Sequence, residues 1–184
     1  MFENIIKNVH NRHPLIHCIT NYVSINDCAN IVLACGGAPI MAEDINEVSQ
    51  ITSICQGLDI NIGMLNDNKL SSMLKAGATA NELGIPVILD PVGAGSSDYR
   101  IKAVQNLMSN VQFGVIRGNV SEIKAIAEKQ GIHNIAAGVY ETMQKNKSAM
   151  GVEAGIADKI TDDNIKEMAD FINKLSQKTG AVIA

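Results

Sequence analysis

The stretch KAGATANELGIPVILDPVGAG, residues 75–95, holds in miniature the pattern on which the whole chain is built. A helical run ends at Gly84, a short strand PVILD follows at 86–90, and the strand empties into a loop with glycines at 93 and 95. An apolar run this short and this continuous suits a strand buried on both faces, as strands of parallel sheets are. Glycine stops the helix because it accepts a left-handed backbone that side chains resist.

Working outward, the same unit recurs. Residues 66–83 read as the helix before this strand, with Leu70, Met73, Leu74 and Ala80 on one face and Asn66 or Asp67 as cap. LDINI at 58–62 and LIHCI at 15–19 read as strands. Residues 25–35 read as a helix, with Ser24 as N-cap and Gly36 and Gly37 as its stop. Ile45, Val48, Ile51 and Cys55 keep helical spacing across 43–55. Downstream, Ile101, Val104, Leu107 and Met108 mark a helix, FGVIR at 113–117 a strand, and Asn119 the start of another helix. The pattern blurs over 131–155, which reads as a surface insertion. It resumes over 163–178, where Ile165, Met168, Ala169, Ile172 and Leu175 share a face, and Gly180 precedes a strand AVIA at 181–184. The expectation is one α/β domain over 1–184 with a mostly parallel sheet. Because a buried strand needs neighbours and a polar turn beyond it, this domain is also expected to be interrupted at Ala184.

Composition narrows the function classes. Hydrophobic residues at 46% and charged residues at 18% allow a real core and argue against disorder. Fifteen Lys and Arg against nineteen Asp and Glu, with no basic stripe, argue against nucleic-acid binding. No apolar run reaches the roughly 18 residues of a membrane span, and Glu3 interrupts any signal-peptide core. Cys18, Cys28, Cys35 and Cys55 lack C-x-x-C spacing, so they read as reduced thiols of a cytoplasmic protein.

Polar residues collect at the strand ends, where loops of open α/β sheets carry ligands. Asp90 closes PVILD, suited either to a metal ion or to an Asp-Pro turn. Arg117 ends FGVIR before a helix N-terminus, suited either to a phosphate or to a surface ion pair. Glu122 stands three residues after Asn119, as the far end of a capping box or as a carboxylate for a metal-bound water. PVGAG lacks the trailing Gly-Lys-Ser/Thr of a P-loop, and neither G-x-G-x-x-G after a strand nor G-x-S-x-G occurs. His10, His13, His17 and Asp27 lack metal-ligand spacing.

Several blocks, in order, resemble the hydroxyethylthiazole kinases: HPLIHCITNYV at 13–23, GGAPIMA at 36–42, NIG at 61–63, the 75–95 stretch, and IRGNVSEI at 116–123. The match covers 13 to about 127 and weakens after 151. The resemblance implies a ribokinase-like three-layer αβα fold and ATP-dependent, Mg²⁺-assisted phosphorylation of 4-methyl-5-(2-hydroxyethyl)thiazole, in thiamine biosynthesis and salvage. It implies that Met41 and Asn21 contact the thiazole, that Asp90 and Glu122 help hold Mg²⁺, and that Arg117 contacts the ATP phosphates. It further implies a homotrimer with pockets between subunits, the 61–64 segment coming from the adjacent chain; Met64 replaces the family's usual hydroxyl residue there. The I-T-G motif and the G-A-G-C turn that carries the family's base and anion hole do not occur here, and none of the four cysteines inherits that role. The 184 residues by themselves are therefore expected to be inactive. Two rivals stand beside the kinase: a non-catalytic thiazole-binding or partner subunit, and another ribokinase-like vitamin kinase of the hydroxymethylpyrimidine type.

Overall fold

The strands all run the same way. In the computed structural model, which describes residues 2–132 and 160–184, six strands pair in parallel in the order β2-β1-β3-β4-β5-β6. The elements in chain order are α1 (Phe2–Arg12), β1 (Leu15–Ile19), α2 (Ile25–Ala34), β2 (Ala38–Ile40), α3 (Val48–Ile54), β3 (Gly57–Asn61), α4 (Asp67–Glu82), β4 (Val87–Asp90), α5 (Asp98–Asn110), β5 (Val115–Ile116), α6 (Val120–Lys129), α7 (Ile165–Thr179) and β6 (Val182–Ile183).

From β1 the chain steps outward to β2, then crosses back to β3 and continues in one direction. Right-handed crossovers therefore put α2 on one face of the sheet and the following helices on the other. The burial pattern agrees. His17, Ile19, Leu58, Ile60, Val87, Leu89 and Ile116 point to one face and are buried, joined there by Val48, Met73, Leu107, Ile126 and Phe171 from the helices. Each such large apolar side chain contributes about 1.5–3 kcal/mol on leaving water. On the other face Cys28 of α2 lies 3.9 Å from the Thr20 hydroxyl, while Ile88 and Val182 stay 40% and 61% exposed. The strand order reverses at β1, and the carboxyl ends of β1 and β3 flank the point of reversal, where such sheets open a crevice.

Several local expectations are met and a few are corrected. Asn66 caps α4, its Oδ1 accepting from the Lys69 N–H at 2.9 Å. Ser24 makes no side-chain cap; its N–H and hydroxyl both donate to Asn21 Oδ1, at 3.0 and 3.1 Å. Helix α3 starts at Val48 rather than 43, because the Asp44 carboxylate accepts the Asn46 N–H and folds the chain into an Asx turn. The strand expected over 113–117 is confined to Val115–Ile116. Helix α1 and the three-residue strand β2 were not expected. Nearly all of the 131–155 stretch lies outside the described residues.

Helix α4 meets the end of α5 closely. A Cβ at Gly77 would stand 2.4 Å from Cγ2 and 2.8 Å from Cγ1 of Val111, a buried, β-branched residue with little freedom to move. Gly77→Ala gains about 1 kcal/mol of helix propensity but overpacks at a cost of about 1–3 kcal/mol. Urea unfolding should show net destabilisation, and Val111→Ala in the Gly77→Ala background should cost less than Val111→Ala alone. Simple additivity would refute the clash.

Candidate functional site at the strand carboxyl ends

A line of polar side chains crosses the carboxyl ends of four adjacent strands. Asn21, just beyond β1, donates from Nδ2 to Asn61 Oδ1 at 3.1 Å. Asn61, the last residue of β3, donates from Nδ2 to Asp90 Oδ2 at 2.9 Å. Asp90, the last residue of β4, faces Arg117 just beyond β5, with Nη1 3.6 Å from Oδ2. Asn61 is buried, and its orientation is set independently, because Oδ1 also accepts the Gly63 N–H at 2.8 Å. A Cβ at Gly63 would come within 2.9 Å of both asparagine side chains, so this turn has room only for glycine.

A second set of bonds ties the loops that carry this line. Asn119 Oδ1 accepts the Glu122 N–H and Glu122 Oε2 accepts the Asn119 N–H, the reciprocal capping box read from the sequence. Glu122 Oε1 accepts the Gly93 N–H at 2.8 Å, so this buried carboxylate also fastens the loop after Asp90 to the start of α6. The Gly118 N–H donates to the Ala184 carbonyl at 3.0 Å. With Gly118, Asn119 and Glu122 N–H groups all engaged, the guanidinium of Arg117 is the main feature here that suits an anion. Arg100 spreads its fork over the carbonyls of Ile62, Val92 and Gly63 at 2.6, 2.9 and 2.8 Å, joining the loops after β3 and β4.

Met41 follows β2 at the same edge and is half-buried. Its neighbour Ala42 offers its carbonyl to His17 Nε2 at 2.8 Å. Burial holds the His17 imidazole below its ordinary pKa, although the Ala42 bond and Glu47 oppose this. His17 is thus a structural tie, 2.9 Å from Thr52 Oγ1 on its other nitrogen. Asn61 is occupied within its own chain, which leaves exposed Met64 as the residue of the 61–64 segment able to face a neighbour.

The site is acidic at its base. Burial raises the Asp90 carboxyl; Arg117 opposes the rise and Glu122 adds to it. Asp59, one turn of the pleat below Asn61 on β3, is pushed up to about 6 by burial and by Asp90, with Arg117 opposing. Among the described residues no three His, Cys, Asp or Glu side chains converge as a metal cage. A hard cation at this end could use the Asp90 and Glu122 carboxylates and take its other oxygens from phosphate and water, as Mg²⁺ commonly does. Burial pushes the Cys18 thiol up to about 12 and raises Cys55, so neither offers a thiolate. Asp59, Arg100 and the linking role of Asn61 had no signal in sequence, since each depends on which strands lie side by side.

The Asp59 shift has a definite sign. Its folded pKa lies above the unfolded value of 3.8, so folding favours the protonated form. Stability contributed by Asp59 therefore falls as pH rises from about 4 to about 6, with the loss complete above that window. In metal-free buffer Asp59→Asn should be more stable than the unaltered chain at pH 7.5, by at most about 3 kcal/mol. The gap should close as pH falls through 6 towards 4. A gap that stays constant over that range would rule out the burial of charge at Asp59.

The comparisons with known proteins agree on one family. A sequence profile described as Hydroxyethylthiazole kinase family matches residues 6–162. A hydroxyethylthiazole kinase of Clostridium acetobutylicum is 52% identical over 184 residues, all of this chain and 62% of the relative. One of Methanobrevibacter smithii is 44% identical over 97% of this chain and 59% of the relative. The solved hydroxyethylthiazole kinase of Pyrococcus horikoshii superposes with a TM-score of 0.68 at 38% identity, covering 77% of this chain and 53% of that one. The chain thus spans about three-fifths of the length of the curated relatives it matches. It belongs to the hydroxyethylthiazole kinase family.

Proposed function

We propose that this chain forms the acceptor and metal side of an ATP-dependent kinase that phosphorylates the hydroxyl of 4-methyl-5-(2-hydroxyethyl)thiazole. The observation that carries the reading is the unbroken line Asn21–Asn61–Asp90–Arg117, which links the residues assigned to the thiazole with those assigned to the phosphates. Family membership supplies the substrate class.

In this reading Met41 offers apolar contact to the thiazole ring and Asn21 lies beside it. Arg117, with 72% of its side chain exposed and only a long contact to Asp90, can turn to the nucleotide phosphates at little cost. Asp90 and Glu122 would hold Mg²⁺, which when bound with ATP neutralises charge on the transferring phosphoryl group. The ties from Glu122 to Gly93 and from Arg100 to three carbonyls keep Asp90 in place without help from ligand. Exposed Tyr22, Val23 and Met64 on the acceptor side support a pocket completed by a neighbouring subunit of a homotrimer. The protein would work in the cytoplasm, where its four thiols stay reduced.

A second reading is a chain that binds the thiazole alcohol without transferring phosphate. Burial raises the Cys18 and Cys55 thiols, so neither of these two suits the role of base for the alcohol proton. Calorimetric titrations with the thiazole alcohol and with Mg²⁺–ATP, and an assay of label transfer from γ-labelled ATP, separate the two. Binding of both the thiazole alcohol and Mg²⁺–ATP, with or without transfer, supports the kinase reading, binding of the alcohol with no affinity for nucleotide supports the second, and the absence of both sinks each of them.

Arg117→Ala should weaken binding of the Mg²⁺–ATP complex about 10–100-fold, the worth of a charge-assisted contact. Arg117→Lys should recover only part of it, because a point charge cannot reproduce the fork. Unchanged nucleotide affinity in the alanine variant would return Arg117 to a surface ion pair.

A further inference from the structure

Near the acceptor side of the site stands a lysine that the kinase reading leaves unused. Lys69 sits in the first turn of α4, its backbone N–H held by the Asn66 cap, and its side chain is 4% exposed. Its ammonium donates to the carbonyl of Thr20, the residue directly before Asn21. It also pairs with Glu43 Oε2 at 2.8 Å, two residues after Met41. It lies 4.6 Å from the centre of the Tyr22 ring, directly after Asn21, and the Tyr22 hydroxyl donates to the other oxygen of Glu43. Three elements thus close a ring around one buried charge: the loop after β1, the loop after β2, and the start of α4.

A purely packing role does not call for an ammonium here. Burying one is costly, and an apolar residue of similar length usually serves a core as well or better. What the ammonium supplies is a fixed separation between two loops that share no direct strand pairing at that level. Burial acts to raise the Glu43 carboxyl, and the bonds from Lys69 and Tyr22 together with the Lys69 charge outweigh it and hold it below its ordinary value. On the far side His17 pins the Ala42 carbonyl, so the two residues after Met41 are held in succession, Ala42 through its backbone and Glu43 through its side chain.

We propose that Lys69, acting through Glu43 and Tyr22, is a positioning residue that sets the gap between Asn21 and Met41 and so preorganises the pocket for a small heteroaromatic alcohol. The role rests on the reading that these two residues receive the thiazole. Lys69 touches no substrate atom in this scheme. Its contribution is to keep both loops in the binding-competent arrangement, and affinity falls in proportion to the fraction of molecules that leave it.

The test is calorimetric titration of the whole chain with the thiazole alcohol, alongside thermal melts, for the unaltered protein, Lys69→Met, Glu43→Ala and the double variant. Lys69→Met should weaken binding about 10-fold or more, while the melting temperature moves by no more than about 4 °C. Glu43→Ala breaks the same ring from its other end, and because it leaves the buried Lys69 ammonium without its carboxylate it should lower the melting temperature more than Lys69→Met does. It should weaken binding comparably, and the double variant should be no worse than the worse single one. If the methionine variant does not fold, the Glu43→Ala result decides. A lowered melting temperature with unchanged affinity, in whichever variant folds, would make the ring merely structural and overturn the role. Absence of binding by the unaltered chain would overturn the thiazole reading, and this role with it.

Discussion

Everything at the strand ends depends on the amide of Asn61. It lies where the strand order reverses, between β1 on one side and β4 on the other, and it is 7% exposed. An amide has one acceptor and one donor end, and here both are used: Oδ1 receives Asn21 and the Gly63 N–H, and Nδ2 reaches Asp90. In a low-dielectric position a half-satisfied network is costly, so these partners hold one another in a single arrangement. The glycine at 63 follows from the same constraint, since a Cβ would strike both asparagines. The geometry of the acceptor side and of the acidic side is therefore not independent; one small side chain couples them.

The acids next to that amide act against folding. Asp59 and Asp90 are half-buried side by side with Glu122 nearby, and the compensating Arg117 is largely exposed. Such an arrangement lowers stability at neutral pH and raises affinity for any cation that enters, because neutralisation relieves repulsion already present in the fold. The apolar core on the opposite face of the sheet, from Leu58 and Ile60 through Leu89 and Ile116, offsets that cost. Stability and site are thus divided between the two faces of the same strands. Residues alternate along β3, with Leu58 and Ile60 facing the core and Asp59 and Asn61 facing the site.

That alternation explains what was legible in the sequence and what was not. Helix α4 and strand β4 could be read because their signals are local: a periodic face, an Asn66 cap, a glycine stop and a continuous apolar run. The capping box of Asn119 and Glu122 was legible for the same reason. Strand β2 was not, because three residues including a proline carry no period, and it exists through pairing with β1. Asp59 reads as a solvated charge in LDINI until the register places it beside Ile88 of β4, one pleat below Asp90. Arg100 reads as a surface residue of α5 until the fold brings two loops under its fork. Asp90 and Arg117 were singled out by their position at strand ends, and the fold adds that they face each other.

Glu122 shows how the two readings of one residue combine. Capping box and metal carboxylate looked like competitors for a single side chain. Each carboxylate oxygen has two acceptor sites, and each here uses one on a backbone N–H, from Gly93 and from Asn119. The second site of each oxygen is not needed for the cap. The bonds that stop α6 from fraying thus also hold both oxygens of Glu122 still, one of them on the loop that follows Asp90. A residue tied this way cannot move to meet a ligand. Any adaptation at this end of the sheet therefore falls to exposed Arg117, while the acidic side stays fixed.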